Sequence, residues 1–133
     1  MSHLAKKPKI AVDLDGTLAY YTTWLGPDHV GLPIKDPVDR VKRALAMGWD
    51  VWIFTVRVAG APHQDQDSIL RATRAIQRWC LQHLGQLVPI TAVKAPTFDE
   101  FWDDRAVGLH KNAGTPRAGG EWWDALATLP GVE

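Results

Sequence analysis

The sequence predicts a single α/β domain of three layers, α/β/α, in which helices cover both faces of a central parallel sheet. Three short apolar runs, at residues 10–12, 49–54 and 88–93, have the length and continuity of buried strands. Segments with helical spacing of apolar residues separate each run from the next. Strands that alternate with helices in this way are joined by right-handed crossovers and form a Rossmann-like sheet. The 133 residues suit one domain, 1–133, and leave little room for a second.

Two carboxylates end the first strand. Asp13 and Asp15 follow the apolar run, and Gly16 then breaks the strand. Because side chains alternate along a strand, both carboxylates leave the backbone on the same side, at the edge where open α/β sheets bind ligands. Two negative charges this close raise the pKa of one of them unless a cation holds them, so the pair indicates Mg²⁺ or divided acid and base roles. The alternative is an ordinary Asp-Gly turn whose carboxylates make only local hydrogen bonds.

Glycine, proline and helix-capping residues predict a loop and then a helix after the first strand. Residues 19–34 mix aromatic residues with glycine and proline, which is typical of a loop or short hairpin. Asp36 is the predicted N-cap of the first helix, with Pro37 at the first helical position and Gly48 at the end. The second strand, residues 49–54, then leads directly into Thr55.

The second helix and the third strand complete the central part of the chain. Asp65, Asp67 and Ser68 offer an N-cap for a helix that ends at Gly85. The third strand, residues 88–93, begins beside a proline, where a missing backbone donor is harmless. It leads to Lys94.

A second pair of carboxylates lies in the last third of the chain. Phe101 and Trp102 form a short apolar run that ends in Asp103 and Asp104. Residues 107–109 are predicted to form a last short strand. Apolar residues at helical spacing between 121 and 129 predict a terminal helix that docks on the body of the domain.

Composition and charge narrow the range of functions. Lys plus Arg and Asp plus Glu number 15 each, so charge does not indicate a nucleic-acid partner, and the basic start of Lys6, Lys7 and Lys9 is typical of a solvated terminus. The single cysteine, Cys80, can form no internal disulfide and predicts a core thiol in a reducing compartment. No apolar run reaches the roughly 18 residues that span a membrane, and the start of the chain is unlike a secretory signal. We therefore expect a soluble, cytoplasmic protein with no membrane partner.

The string D-L-D-G-T-L at residues 13–18 resembles the first motif of the haloacid dehalogenase (HAD) superfamily, in its small phosphatase type without a cap domain. The resemblance implies that Asp13 is the nucleophile and that Asp15 is the general acid and base. Thr55-Val56-Arg57 is similar to the second motif of these proteins. It implies that the Thr55 hydroxyl and the Val56 amide bind phosphoryl oxygens, with Arg57 nearby or paired with a structural carboxylate.

The remaining motifs follow in the same order. By position, Lys94 resembles the lysine of the third motif, which neutralises the charge of the phosphorylated aspartate. Asp103 and Asp104 resemble the paired carboxylates of the fourth motif. The resemblance implies a Mg²⁺ site made by Asp13, the backbone carbonyl of Asp15, and one of the last two residues, with Asp104 favoured as the direct ligand. It also implies that the first and fourth motif strands are neighbours.

These expectations give a function and one alternative. The resemblance implies a Mg²⁺-dependent phosphomonoester hydrolase that works through an aspartyl phosphate, on a nucleotide, a phosphosugar or a macromolecular phosphate end. The roughly 16 residues after the first motif are too few for a cap, so they would form a small flap on which Trp24 and His29 either contact substrate or pack against the body. The open site would accept a large substrate or be covered by a second subunit. The alternative is a catalytically silent Mg²⁺- and phosphate-binding module that acts through a protein partner.

Overall fold

The structure is a computed structural model, and it describes residues 7–127 of the chain. Lys6, and residues 128 and 129 of the predicted terminal helix, lie outside the described residues. The strands are β1 (Lys9–Asp13), β2 (Asp50–Phe54), β3 (Ile90–Thr91) and β4 (Glu100–Trp102); the helices are α1 (Lys35–Ala46), α2 (Gln66–His83) and α3 (Glu121–Ala125), with a short 3-10 helix at Val56–Val58.

The four strands form one parallel sheet in the order β3-β2-β1-β4. The chain first moves outward from β1 through α1 and β2 to β3, and it then returns to place β4 on the other side of β1. This confirms the predicted Rossmann-like α/β class without a cap. It also makes β1 and β4 neighbours, so that the carboxyl ends of the two strands with paired carboxylates meet.

One face of the sheet carries the main core. Ile10, Val12, Val51, Ile53 and Trp102 share this face, as their register shows, and all are buried. The three helices contribute their buried apolar residues to the same cluster. The second helix adds the Cys80 thiol to this core, as the sequence predicted. Burial raises the pKa of this thiol to about 11.

The opposite face of the sheet is covered differently. It carries Trp52, Phe54 and Phe101, all partly buried. The connection from β3 to β4, residues 92–99, contains no helix and packs Phe98 edge-on against Trp52, with ring centroids 6.1 Å apart, and against Phe101 at 5.4 Å. The layer on this side is therefore a loop with aromatic contacts, so the prediction that helices cover both faces of the sheet is wrong for this face.

Of the two predicted helix N-caps, the one for α2 is confirmed and the one for α1 is wrong. Asp65 is the N-cap of α2, and its Oδ1 accepts a hydrogen bond from the Ser68 amide at 2.7 Å. The prediction for α1 is wrong, because the helix begins at Lys35 and Ile34 is its cap residue, without a side-chain cap. Pro37 remains harmless there, since the first four amides of a helix have no partner within the helix.

Two predicted strands differ from the structure. The third strand covers only Ile90–Thr91, because the Thr91 hydroxyl accepts a hydrogen bond from the Val93 amide at 3.0 Å and turns the chain. The strand predicted at 107–109 is wrong. This segment pairs with its own continuation, where the Arg117 amide donates to the Gly108 carbonyl at 2.9 Å, and the loop stays exposed.

The start of α3 is held by a buried carboxylate. Glu100, the first residue of β4, accepts hydrogen bonds from the backbone amides of Trp122 at 2.9 Å and Trp123 at 3.1 Å, and from the indole of Trp102 at 2.9 Å. A carboxylate at this end of a helix satisfies amides that would otherwise lack a partner. Between residues 7 and 127, no helix combines the length and the apolar character needed to cross a membrane.

Candidate active site

Three carboxylates converge at the carboxyl end of the sheet. Asp13 ends β1, and Asp103 and Asp104 directly follow β4. One oxygen atom from each of the three lies within 4.8 Å of the others. The two adjacent parallel strands therefore bring together acidic residues that are 90 positions apart in the chain, as the resemblance of the motifs implied.

Thr17 connects the two halves of this cluster. Its Oγ1 lies 3.3 Å from Asp13 Oδ2 and 3.3 Å from Asp104 Oδ1, and it accepts a hydrogen bond from the Asp104 amide at 3.1 Å. The single hydroxyl hydrogen serves one carboxylate at a time. Sequence reasoning assigned no role to Thr17, although its place in the string D-L-D-G-T-L was a signal that could have marked it.

Gly16 allows the close approach of Asp104. Its φ of +86° lies in the region that side chains rarely adopt, and a Cβ atom built there would lie 2.6 Å from Asp104 Oδ2. In the turn that follows Asp13 and Asp15, any residue larger than glycine would therefore displace the Asp104 carboxylate.

We expect Gly16→Ala to weaken divalent-cation binding by tenfold or more, because the new methyl group displaces Asp104. The left-handed backbone adds a loss of about 1–2 kcal/mol in the free energy of unfolding. Calorimetric titration with Mg²⁺ and denaturant unfolding measure the two effects. Gly60→Ala is the matched control, since Gly60 has a φ of +73° but nothing within 4 Å of its Cβ position. It should lose stability only, and equal Mg²⁺ affinity in both variants would contradict the prediction.

The electrostatics of the cluster act mainly on Asp13. Burial raises its pKa to about 7, and a hydrogen bond with Asp104 and the charges of Asp103 and Asp104 act in the same direction. Thr17 opposes the shift by donating to the carboxylate. Like charges that repel each other in a partly buried site are stabilised by a cation, and carboxylate oxygens are the ligands that Mg²⁺ prefers.

Asp15 is held by Arg57 through two parallel hydrogen bonds. Arg57 Nε lies 2.8 Å from Asp15 Oδ2, and Arg57 Nη2 lies 2.8 Å from Asp15 Oδ1. The arginine side chain is 4% exposed and also donates to the His29 carbonyl at 2.8 Å. Of the two roles that the sequence left open for Arg57, the structure therefore displays the pairing with a carboxylate.

Thr55 and Val56 lie where the second strand ends. The Thr55 hydroxyl caps the 3-10 helix by accepting a hydrogen bond from the Arg57 amide at 3.2 Å, and the residue is buried. Val56 is exposed beside it. One cavity of about 520 Å³ is lined by most of the predicted site residues: Asp13, Asp15, Thr55, Val56, Arg57, Asp103 and Asp104.

Lys94 is the predicted site residue that does not join them. Its ammonium lies 5.2 Å from the centroid of the Phe101 ring, and it lines a neighbouring cavity with Asp103. In the described part of the chain, no ion pair links Lys94 to an acidic side chain. The early turn at Thr91 ends β3 before this lysine.

The segment 20–33, which we call the flap, is anchored beside the cavity. The Tyr20 amide donates to the Leu32 carbonyl at 2.8 Å, which closes the base of the predicted short hairpin. The Trp79 indole donates to the Gly31 carbonyl at 2.8 Å, and Arg71 forms an ion pair with Asp28. These contacts fix the flap to α2.

The two flap residues singled out in the sequence are placed differently. Trp24 lines the cavity that contains Asp13, and the guanidinium of Arg57 lies 4.8 Å from the centroid of its ring. His29 contacts Arg57 through its backbone carbonyl, and it lines a different cavity of about 220 Å³.

Comparison with known proteins supports the fold. No protein-family model matches the chain, and no curated protein matches its sequence. A solved structure of a conserved protein from Bacteroides thetaiotaomicron is similar, with a TM-score of 0.55 and 21% sequence identity over 91% of this chain and 87% of that one. At this identity the likeness concerns the fold alone.

Proposed function

We propose that the chain is a phosphomonoester hydrolase of the HAD-like type that uses Asp13 as its nucleophile and requires Mg²⁺. The observation that carries the proposal is the convergence of Asp13, Asp103 and Asp104 within 4.8 Å, in a cavity that Asp15 and Thr55 also line. The residues come from three segments that match the HAD-like motifs in chain order. An ordinary Asp-Gly turn with local hydrogen bonds would not require this convergence.

The residues fit a hard divalent cation. Asp13 and Asp104 would hold Mg²⁺ together with the Asp15 carbonyl, and Asp103 would act beside them. The raised pKa of Asp13, which burial and the neighbouring carboxylates cause, supports the need for a positive charge at this point. When bound, Mg²⁺ supplies charge neutralisation for the phosphoryl group.

In the proposed reaction, each residue of the site has a separate role. The Asp13 carboxylate attacks phosphorus and forms the aspartyl phosphate, while the ester oxygen leaves with a proton from Asp15. Asp15 then takes a proton from the water that attacks the aspartyl phosphate, which releases inorganic phosphate and restores Asp13. The Val56 amide and the Thr55 hydroxyl donate to phosphoryl oxygens. Arg57 orients Asp15, and one of its two hydrogen bonds has to loosen so that the carboxylate first takes up, from solvent, the proton that it then gives to the leaving oxygen.

The proposal is tested by phosphate release from a panel of phosphosugars, nucleotides and phosphorylated oligonucleotides, with Mg²⁺ and with EDTA. We expect hydrolysis that EDTA abolishes. Absence of release from every ester would contradict the proposed activity. Light scattering in the same buffer shows whether the chain forms an oligomer, as coverage of the open site by a second subunit requires.

Metal binding is tested separately by thermal unfolding. We expect millimolar Mg²⁺ to raise the melting temperature by a few degrees, because a ligand that binds only the folded state stabilises it. Asp104→Asn should remove the shift. Asp124→Asn, which neutralises an exposed carboxylate on α3, should keep it. An equal shift in both variants would place the bound ion elsewhere.

One observation favours a second candidate, a silent Mg²⁺- and phosphate-binding module that acts through a protein partner. Lys94 lies 5.2 Å from the centroid of the Phe101 ring and does not line the cavity that contains Asp13, and Arg57 donates to both oxygens of Asp15. A Mg²⁺-dependent thermal shift without hydrolysis of any ester in the panel would favour this candidate over the hydrolase.

A further inference from the structure

The flap exposes large aromatic side chains toward the candidate active site. Trp24 is 51% exposed and Tyr21 is 46% exposed, and both line the cavity that contains Asp13 and Asp104. Leaving such side chains in water forgoes the stabilisation that their burial would give. Exposed aromatic residues grouped beside a polar site are typical of a surface that binds a ligand.

The Trp24 ring is held in place without being buried. The Arg57 guanidinium lies 4.8 Å from its centroid, and this guanidinium is itself fixed by Asp15 and by the His29 carbonyl. A cation over one part of an aromatic ring stabilises its position. The flap backbone is also fixed to α2, through the Trp79 indole. The tryptophan therefore presents a pre-positioned aromatic surface.

The chemistry of the cavity limits what this surface can bind. Its floor is acidic and holds the phosphoryl end of a substrate in the proposed function, while its wall is aromatic, with Tyr21, Trp24 and Phe54. Two guanidinium groups line the cavity: the buried one of Arg57, which already pairs with Asp15, and the exposed one of Arg105, which follows the acidic pair Asp103–Asp104. The volume of about 520 Å³ admits a planar ring in addition to a phosphate.

We propose that this site prefers phosphomonoesters whose leaving group carries a planar aromatic ring, and that Trp24 is the residue on which this ring stacks. This inference rests on the proposed function, because it assigns the substrate class of the same site. Trp24 then determines specificity and takes no part in proton or phosphoryl transfer.

The test compares adenosine 5′-monophosphate with ribose 5-phosphate, because both esters lose phosphate from the same primary alcohol and differ in the base. We expect kcat/KM for the nucleotide to exceed that for the phosphosugar by about tenfold or more, as base stacking on aromatic side chains allows. Trp24→Ala should remove this preference by lowering kcat/KM for the nucleotide alone, and Trp24→Phe should retain most of it. Tyr20→Ala is the matched control, since Tyr20 is a 64% exposed flap residue outside this cavity.

The outcomes separate this inference from the proposed function. Mg²⁺-dependent hydrolysis with equal kcat/KM for both esters would overturn the inference alone, as would an equal loss for both esters in Trp24→Ala. If no ester is hydrolysed, the proposed activity fails, and calorimetric binding in the presence of Mg²⁺ decides the inference. Tenfold tighter binding of the nucleotide that requires Trp24 would support it, and equal affinities would overturn it. Titration with phenyl phosphate distinguishes a simple aryl group from a nucleobase.

Discussion

Asp13→Asn is expected to abolish hydrolysis of phosphomonoesters and, in the same protein, to increase stability near neutral pH. An amide cannot act as the nucleophile, so kcat should fall by at least about 10⁴-fold, the scale seen when a covalent nucleophile is removed. The increase in stability has a different cause. The carboxylate is partly buried beside Asp103 and Asp104, and its charged form is disfavoured in the folded protein.

The pH dependence gives the sign of this effect. The pKa of Asp13 rises from 3.8 to about 7 in the folded protein, so between these values the folded state binds more protons than the unfolded state. The free energy of unfolding therefore falls as pH rises from about 4 to about 7 and stays low above that. Asp13→Asn should lose this dependence and melt at a higher temperature than the native protein at pH 8.

Thermal unfolding in Mg²⁺-free buffer from pH 5 to pH 8, with phosphate release measured in Mg²⁺, tests both parts. The matched control is Asp124→Asn, whose carboxylate is exposed and outside the cluster. It should keep the activity and the pH dependence of the native protein. Activity of Asp13→Asn at the native rate would exclude the aspartyl phosphate, and a lower melting temperature at pH 8 would contradict the electrostatic argument.

The convergence of acidic residues could be predicted from the sequence because it depends on topology. Asp13 and Asp104 each follow an apolar strand, and parallel strands bring their carboxyl ends to one edge. The resemblance of the motifs implied that the strands before these two residues, β1 and β4, are neighbours. No knowledge of side-chain conformation is needed for this step, which explains why the cluster matches the expectation while finer features do not.

The features that sequence reasoning missed depend on turns and on distant partners. Lys94 was placed by its position in the chain, but the Thr91 hydroxyl turns the chain earlier and leaves the lysine on an aromatic ring. Glu100 resembles an exposed residue before a strand, yet it is buried because α3 offers its backbone amides as partners. Thr17 could have been marked by its place in the string D-L-D-G-T-L, but its contacts with Asp104 arise only when β4 brings that residue beside it. The pattern of residues along a short stretch of sequence does not predict contacts of this kind.

Arg57→Met is expected to lower the free energy of unfolding by about 3 kcal/mol, the loss typical of breaking a buried ion pair by removing one partner. The arginine side chain is 4% exposed and the Asp15 side chain 20% exposed, so the carboxylate would remain without a cation in a poorly hydrated place. The His29 carbonyl would lose its donor as well, and Trp24 would lose the cation that lies over its ring. Arg57→Lys should recover only part of the loss, because one ammonium cannot replace two parallel hydrogen bonds.

A double-mutant cycle separates the ion pair from the packing of the long side chain. Asp15→Asn removes the negative charge, so the combined change with Arg57→Met should cost clearly less than the two single losses added together. Denaturant unfolding of the four proteins gives the coupling, and Arg71→Met, which breaks the exposed pair with Asp28, should cost less than about 1 kcal/mol. Additive losses at Asp15 and Arg57 would mean that the arginine stabilises the domain by packing alone. A large coupling would instead make this ion pair the contact that joins the proposed acid, the end of the second strand and the flap into one site.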